Sequence, residues 1–426
     1  MKFNINIKDL ADALKPSLNL AVKTSDKEFE FADKITITAK QDNISVCAYS
    51  KLASIVSNLS NKIFPLDYEC IEEGEVTVYV DDLVGTLTTM PQEKGEIKSK
   101  KGQVIVSLLS DEDYSREMSV FEKSVKVPKI ATKFIKEINV NREVFVKGMN
   151  SVSFSIAYEE KLWYYMCVLF EAFDDKVRFS AGTGGQWAVK SIEGSRVVQT
   201  KEPCKIIFPN KNKNFLSNIM KTLADCTDEI ICIKYAEADK KKNIPEQIII
   251  TFEKDAYTLC IFGVEEYTKS HDLDTILQYS YPNKIYSELE SWGYAIGGVG
   301  VSRHRYTDSI HNTEVKLLSN KEKFIVTSQT KNKQKSPVPL ADAKKCTIKG
   351  KEIWFKCNTE FLENMIRCGA KTGKIRMNFE SQEILANEPD DSKKKLKPVL
   401  VEYADTPNAS SGFNEKFCLF FGISTK

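Results

Sequence analysis

Apolar and polar positions change period repeatedly along the chain, and the changes fall in the same order three times. A β-rich run, a polar step, a helical pattern and a further strand recur. They occur at Val76-Thr-Val-Tyr-Val80 before Asp81 to Leu87, at Cys204-Lys-Ile-Ile-Phe208 before Asn210 to Leu223, and at Ile353-Trp-Phe-Lys-Cys357 before Asn358 to Ile366. Asp81, Asn210 and Asn358 stand where an N-cap side chain would accept from the first free N–H groups of a helix. The junctions lie roughly 130 and 150 residues apart, the size of a domain and too long for a solenoid repeat.

Each third also carries an earlier helical pattern, at Ile7 to Leu20, Asn141 to Val152 and Ile285 to Ile296. In the first, Ile7, Leu10, Leu14 and Leu18 recur at helical spacing and give the element one side to bury. Pro16 lies inside it, removes a hydrogen bond and weakens the expectation for the second half. Runs at Ile44 to Tyr49, Val104 to Val106, Gln247 to Phe252 and Phe324 to Ser328 read as strands. The fold class is therefore α+β, three repeated domains with two helices each packed on antiparallel sheet. Interruptions at Lys126 to Ile130 and Lys269 to Asp272 put the domains at 1–130, 131–268 and 269–426. Lysine clusters at Lys240 to Lys242, Lys331 to Lys335 and Lys393 to Lys395 read as solvated hairpin tips, with DNA-contacting loops as the alternative.

Charge narrows the picture only slightly. Lys and Arg number 61 against 59 Asp and Glu, a net charge of +2, so attraction to a polyanion has to be arranged on one surface. No run approaches the ~20 apolar residues of a membrane span. The first ten residues hold Lys2, Lys8 and Asp9 where a signal peptide would have its apolar core, so a cytoplasmic location and no membrane partner are expected. The 11 cysteines form no C-x-x-C pair and fall mostly in apolar runs, which predicts reduced, mostly buried thiols. His271, His304 and His311 are the three histidines, and no H-E-x-x-H is present, so neither metal nor cofactor is expected. Gly182, Gly184 and Gly185 lack a following G-K-[ST] and read as a tight turn, and the chain is expected not to be an enzyme.

The middle third carries the most specific pattern: Phe154-Ser-Ile-Ala157, then Trp163-Tyr-Tyr-Met-Cys-Val-Leu-Phe-Glu171, then Arg178-Phe-Ser-Ala-Gly-Thr-Gly-Gly-Gln-Trp-Ala-Val189. This resembles the second domain of the bacterial DNA sliding clamp, the β subunit of DNA polymerase III. In that family a helix ends in Phe-Ser, a strand ends like Leu-Phe-Glu, and an Ala-Thr-Asp-Gly-His-Arg-Leu-Ala segment follows. Gly185 and Gln186 hold the family's His and Arg positions here, which marks a diverged member. Met1-Lys-Phe3, Gly373 to Phe379 and the closing Phe417-Cys-Leu-Phe-Phe-Gly-Ile423 extend the resemblance toward both ends, and it is weakest between Glu265 and Lys351.

The resemblance implies a processivity factor, a head-to-tail homodimeric ring around duplex DNA that tethers a DNA polymerase and is opened by a clamp loader. It implies inner helices that touch phosphates, here Lys8, Lys15, Lys23, Arg142, Lys147, Lys211, Asn214, Asn218, Lys221 and Arg367. Lys211, Asn214, Asn218 and Lys221 share a helical face without an acidic residue among them, suited to sequence-independent contact; a solvated surface is the alternative. Asp12 and Glu143 stand where they could pair with Lys15 and Lys147 instead. A groove for partner peptides maps onto Met166, Gly184, Trp187, Leu419, Phe421 and Ile423, each of which could equally be core. Val104 and Val106, taken as an edge strand, with Val299 and Val301 across from them, form the expected dimer interface. A clamp relative serving transcription or repair, and a scaffold of clamp fold without encirclement, are the alternatives.

Overall fold

A strand, a helix, a run of strands, a second helix and three closing strands follow one another three times. The first pass is β1 (Lys2–Asn6), α1 (Ile7–Leu20), β2 (Lys34–Lys40), β3 (Asn43–Tyr49), β4 (Ala53–Ser60), β5 (Tyr68–Glu72), β6 (Gly74–Tyr79), α2 (Val80–Thr89), β7 (Lys94–Lys100), β8 (Gln103–Leu108) and β9 (Ser115–Ser119). The second is β10 (Lys136–Asn141), α3 (Arg142–Ser153), β11 (Cys167–Ala172), β12 (Lys176–Gly182), β13 (Gln186–Glu193), β14 (Val198–Thr200), β15 (Cys204–Pro209), α4 (Phe215–Ala224), β16 (Ile230–Ala236), β17 (Gln247–Phe252) and β18 (Tyr257–Phe262). A short helix, α5 (Leu273–Gln278), precedes the third: β19 (Asn283–Glu288), α6 (Leu289–Gly300), β20 (Asn312–Leu317), β21 (Lys323–Ser328), β22 (Lys335–Pro339), β23 (Ile353–Asn358), α7 (Thr359–Cys368), β24 (Lys374–Phe379), β25 (Val399–Tyr403) and β26 (Asn414–Phe421).

This computed structural model describes residues 1–20, 33–49, 52–60, 67–111, 113–122, 127–157, 166–183, 185–210, 215–254, 256–262, 273–300, 312–317, 322–328, 335–348, 353–369, 373–379, 399–404 and 413–421. Its contacts divide into two units, one of Met1–Val146, Glu171–Asp175 and Ser195–Glu266, the other of Lys147–Phe170, Lys176–Gly194 and Tyr267–Lys426. The first unit holds a sheet ordered β5-β1-β7-β8-β9 and a longer one ordered β14-β10-β16-β17-β18-β4-β3-β2-β6. The second holds the run β11-β12-β13-β26-β25-β24-β19 and the sheet β22-β21-β20-β23. Two strand pairs therefore cross from one repeat to the next: β18 lies antiparallel on β4, Leu259 opposite Ile55, and β26 lies antiparallel on β13, Leu419 opposite Ala188.

Local chemistry explains where the helices begin. The Asn6 side chain accepts from the N–H groups of Lys8 (2.9 Å) and Asp9 (3.3 Å), and Asn141 does the same for Val144 (3.1 Å). Asn210 accepts from the N–H of Leu216 at 3.2 Å, so it reaches the first turn of α4 from five residues before the helix begins at Phe215 and is not its N-cap. Asp81 departs from expectation: α2 starts a residue earlier with Tyr79 at the N-cap and no side-chain capping bond, and Asp81 faces the helix dipole from the first turn. The helical pattern at Ile285 is also corrected, because Ile285 to Glu288 belong to β19 and α6 begins only at Leu289.

Pro16 does not stop α1, which runs to Leu20. Its ring is buried, and backbone carbonyls around it find side-chain donors elsewhere in the first unit: the Tyr257 hydroxyl donates to Ala13 at 2.9 Å and the Thr222 hydroxyl to Pro16 at 3.3 Å. Packing on α4 and β18 thus offsets the bond that proline removes. The sequence reading of Val104 and Val106 is corrected as well. β8 lies between β7 and β9, so the edge is β9, and both valines are fully buried within their own unit. Val299 falls in α6, while Val301 lies outside the described residues.

Candidate functional site

Two kinds of surface were anticipated, a helical face for phosphates and an apolar face for peptides. In the first unit, α1 packs along α4, and the Asn19 amide donates to Asp225 at 2.9 Å where the two helices end. Lys8, Lys15 and Lys221 all project into solvent. Lys15 pairs with Asp12 at 2.6 Å, and that hydrogen bond raises its pKa above the ordinary lysine value. Asp225 stands one turn beyond Lys221, so the outward face of α4 is not free of acid at its C-terminal end. Asn218 is half-buried, its carbonyl accepting from the Thr222 hydroxyl at 3.0 Å.

Arg142 has a different occupation. Its Nε donates to the carbonyl of Asp228 (2.8 Å) and its Nη1 to those of Leu223 (3.4 Å) and Ala224 (3.2 Å). The guanidinium thus closes the C-terminal end of α4, where unsatisfied carbonyls and the helix dipole favour a cation. In the second unit Lys147 is half-buried on α3, and Arg367 is exposed in the last turn of α7. Lys23, Lys211 and Asn214 lie outside the described residues.

The apolar face forms on the strands that join the second and third repeats. Trp187 opposes Gly182 on β12 and Phe420 on β26, and successive strand residues point to opposite sides. Trp187, Val189, Cys418 and Phe420 therefore share one face, while Ala188 and Leu419 take positions on the other; Phe421 is the last residue of β26, and its side chain lies outside the described residues. The anticipated groove residues are split by this register: Leu419 is fully buried behind the sheet, and Cys418 and Phe420 are the closing-strand residues beside Trp187. Met166 is half-buried just before β11; Gly184 and Ile423 lie outside the described residues.

The indole of Trp187 is 9% exposed and stacks on Phe420 with centroids 6.3 Å apart and planes 6° from parallel. Gly182 makes room for it, since a Cβ there would lie 2.2 Å from the indole. Leu273, Leu277, Tyr281 and Leu400 complete the cluster, so α5 forms its cover. Arg178 on β12, buried on this same face, ties α5 down by pairing its guanidinium with Asp274. Sequence reasoning missed α5, whose six residues are too few to show a helical period. The two family departures are used internally: a Cβ at Gly185 would sit 2.7 Å from the ring of Phe361 on α7, and the buried Gln186 carbonyl accepts from Asn364 at 3.0 Å.

All 11 cysteines are free thiols, six of them buried. Burial pushes Cys47, Cys167, Cys260 and Cys418 up to about 12, far from reactive thiolates. Among the described residues there is no cluster of metal-ligating side chains, and no helix is long and apolar enough to cross a membrane.

The architecture is that of the DNA sliding clamps. Among solved structures, the fold is shared with bacterial DNA polymerase III β subunits along the whole chain. The β subunit from Thermotoga maritima matches with a TM-score of 0.72 at 13% identity, covering 100% of this chain and 99% of that one. The sliding clamp from Caulobacter crescentus matches with a TM-score of 0.73 at 12% identity, and the Helicobacter pylori β clamp with 0.71 at 14%, both over 100% of each chain. No protein-family model and no curated protein sequence matches the chain.

Proposed function

We propose that this chain is a diverged DNA sliding clamp, made of three clamp domains at 1–130, 131–268 and 269–426, that closes around duplex DNA as a head-to-tail ring of two copies. The observation that carries the reading is the pairing between repeats. The last strand of the second repeat, β18, pairs with β4 of the first, and the last strand of the third, β26, pairs with β13 of the second. By the same rule the last strand of the first repeat, β9, and the corresponding strand of the third, β22, each keep an open edge in their sheets. Two copies joined β9 to β22 satisfy both edges twice and close, as a heterologous contact must if it is not to grow a filament. This assignment replaces the buried valines of β8.

In this reading Lys8, Lys15, Lys221 and Arg367 supply phosphate attraction that is indifferent to sequence and permits translation. The ring holds a DNA polymerase on its template, a clamp loader opens it, and peptides of such partners dock over α5 and the face it covers. Its role is topological, with no chemical step. The test is retention on DNA of a Lys8→Glu, Lys221→Glu double variant, both changes being exposed. Wild-type protein should persist on circular and run off linear DNA, and the variant should load poorly as salt rises. Equal wild-type retention on both forms would overturn encirclement and leave a scaffold of clamp fold.

A further inference from the structure

The two edges assigned to ring closure are chemically unequal. On β9, Val120 N–H donates to Gly102 at 3.1 Å and Leu108 N–H to Tyr114 at 3.2 Å. With Val104 opposite Met118 and Val106 opposite Arg116, alternation turns the backbone groups of Met118 and Arg116 toward β8. Those of Ser115, Glu117 and Ser119 point outward; a bridge between Val78 and Val120, with Phe121 N–H donating to Thr77 at 2.8 Å, occupies the edge from Ser119 onward, so Ser115 and Glu117 are the positions that offer both donors and acceptors.

On β22, Leu340 N–H donates to Glu322 at 3.0 Å, and Val338 lies opposite Phe324 and Ser336 opposite Val326. The backbone groups of Ser336 and Val338 thus face β21, and those of Lys335, Pro337 and Pro339 face outward. Two of these three outward positions are proline and have no N–H to give. A bridge between Ser287 and Leu340 occupies the edge beyond Pro339. No proline interrupts the equivalent strands inside the chain, β4, β13, β18 and β26.

We propose that the junction between copies is a one-way ladder, in which β9 donates to the carbonyls of β22 and receives little in return. It is therefore weaker than the two junctions within the chain and exchanges subunits readily. The proposal rests on the two-copy ring above and commits to a second copy of this chain as the occupant of the edge. That prolines blunt the edge against any partner is the competing outcome.

Sedimentation velocity across a concentration series tests it, comparing wild type with Pro337→Thr and Glu117→Pro. Pro337 is exposed and its ring faces solvent, so threonine should leave the unit folded. Restoring one donor should tighten the dimer about fivefold, and removing the outward donor at Glu117 should weaken it by at least as much. A dimer of unchanged affinity in Pro337→Thr, with Glu117→Pro weakened, would overturn the one-way ladder and leave the ring standing. Monomers at every concentration for all three proteins would overturn the ring itself, and the ladder with it.

Discussion

The ammonium of Lys190 and the carboxylate of Glu415 meet across β13 and β26 with 0% and 3% of their side chains exposed. Lys190 stands opposite Phe417 and Glu415 opposite Ile192, so the pair is diagonal and fixes the register of the strands joining the second and third repeats. Burial pulls the Lys190 pKa down, and the hydrogen bond it donates to Glu415 works against that pull. Removing one partner strands a buried charge, so Glu415→Ala should lose ~3–5 kcal/mol in urea unfolding. Lys190→Met combined with Glu415→Leu should recover most of it. Equal losses in the single and double variants would contradict the account.

Trp187→Ala should behave as a core truncation, costing ~3–5 kcal/mol by thermal or urea unfolding. Gly182→Ala should disturb the same cluster without touching the indole's chemistry, because its Cβ would enter the ring's space. Both should diminish the near-ultraviolet circular dichroism of the Trp187–Phe420 stack. A Trp187→Ala protein of wild-type stability would mean that the indole serves only visiting ligands.

Arg142→Ala separates a capping role from a phosphate contact. Losing the guanidinium leaves α4 carbonyls without their donor, so stability should fall by ~1–2 kcal/mol. The salt dependence of DNA retention should not change. A shallower salt slope with intact stability would return Arg142 to the DNA surface.

Glu402 gives acid sensitivity with a definite sign. Burial pushes its pKa up, but hydrogen bonding and charge from Arg376, then Asn378 and Lys416, outweigh it and hold the carboxyl below the ordinary glutamate range. Arg376 Nε donates to it at 2.7 Å and the Asn378 amide at 2.8 Å. A carboxylate lowered on folding stabilises fully above its unfolded pKa, about 4.3. That stabilisation disappears as pH falls through the lower folded value. The stability difference between wild type and Glu402→Gln should therefore be constant near neutrality and shrink below about pH 4.3. A difference that persists undiminished at pH 3 would refute it.

Much of the architecture was legible because the repeat is written in period changes. The strand-then-helix order of each repeat, the closing strand and the β12–β13 hairpin stand where alternation puts them, whereas the capping residue expected for α2, Asp81, does not cap it. The misreadings have particular causes. The Ile285 segment joins an alternating strand directly to a helix, and its apolar residues satisfy both periods. Val104 and Val106 look the same on an edge as in a sheet interior, since a one-sided strand buries alternate residues either way. Leu419 falls on the face of β26 away from Trp187, which the sequence could not reveal because Phe417 to Phe421 is apolar on both faces and carries no mark of its register. Arg142 was indistinguishable from a surface cation because its partners are backbone carbonyls 81 to 86 residues away in sequence, which no side-chain pattern reveals.

The β4–β18 seam has a consequence for how the chain can be taken apart. A sheet that runs without a break from the first repeat into the second makes the border between them a hydrogen-bonded ladder, so the repeats are not beads on a string. Severing the peptide there would leave the pieces zipped together, while expressing residues 1–130 alone would uncover the long flank of β4 and invite it to bind whatever strand it met. The smallest piece of this protein able to stand alone is accordingly larger than its repeat.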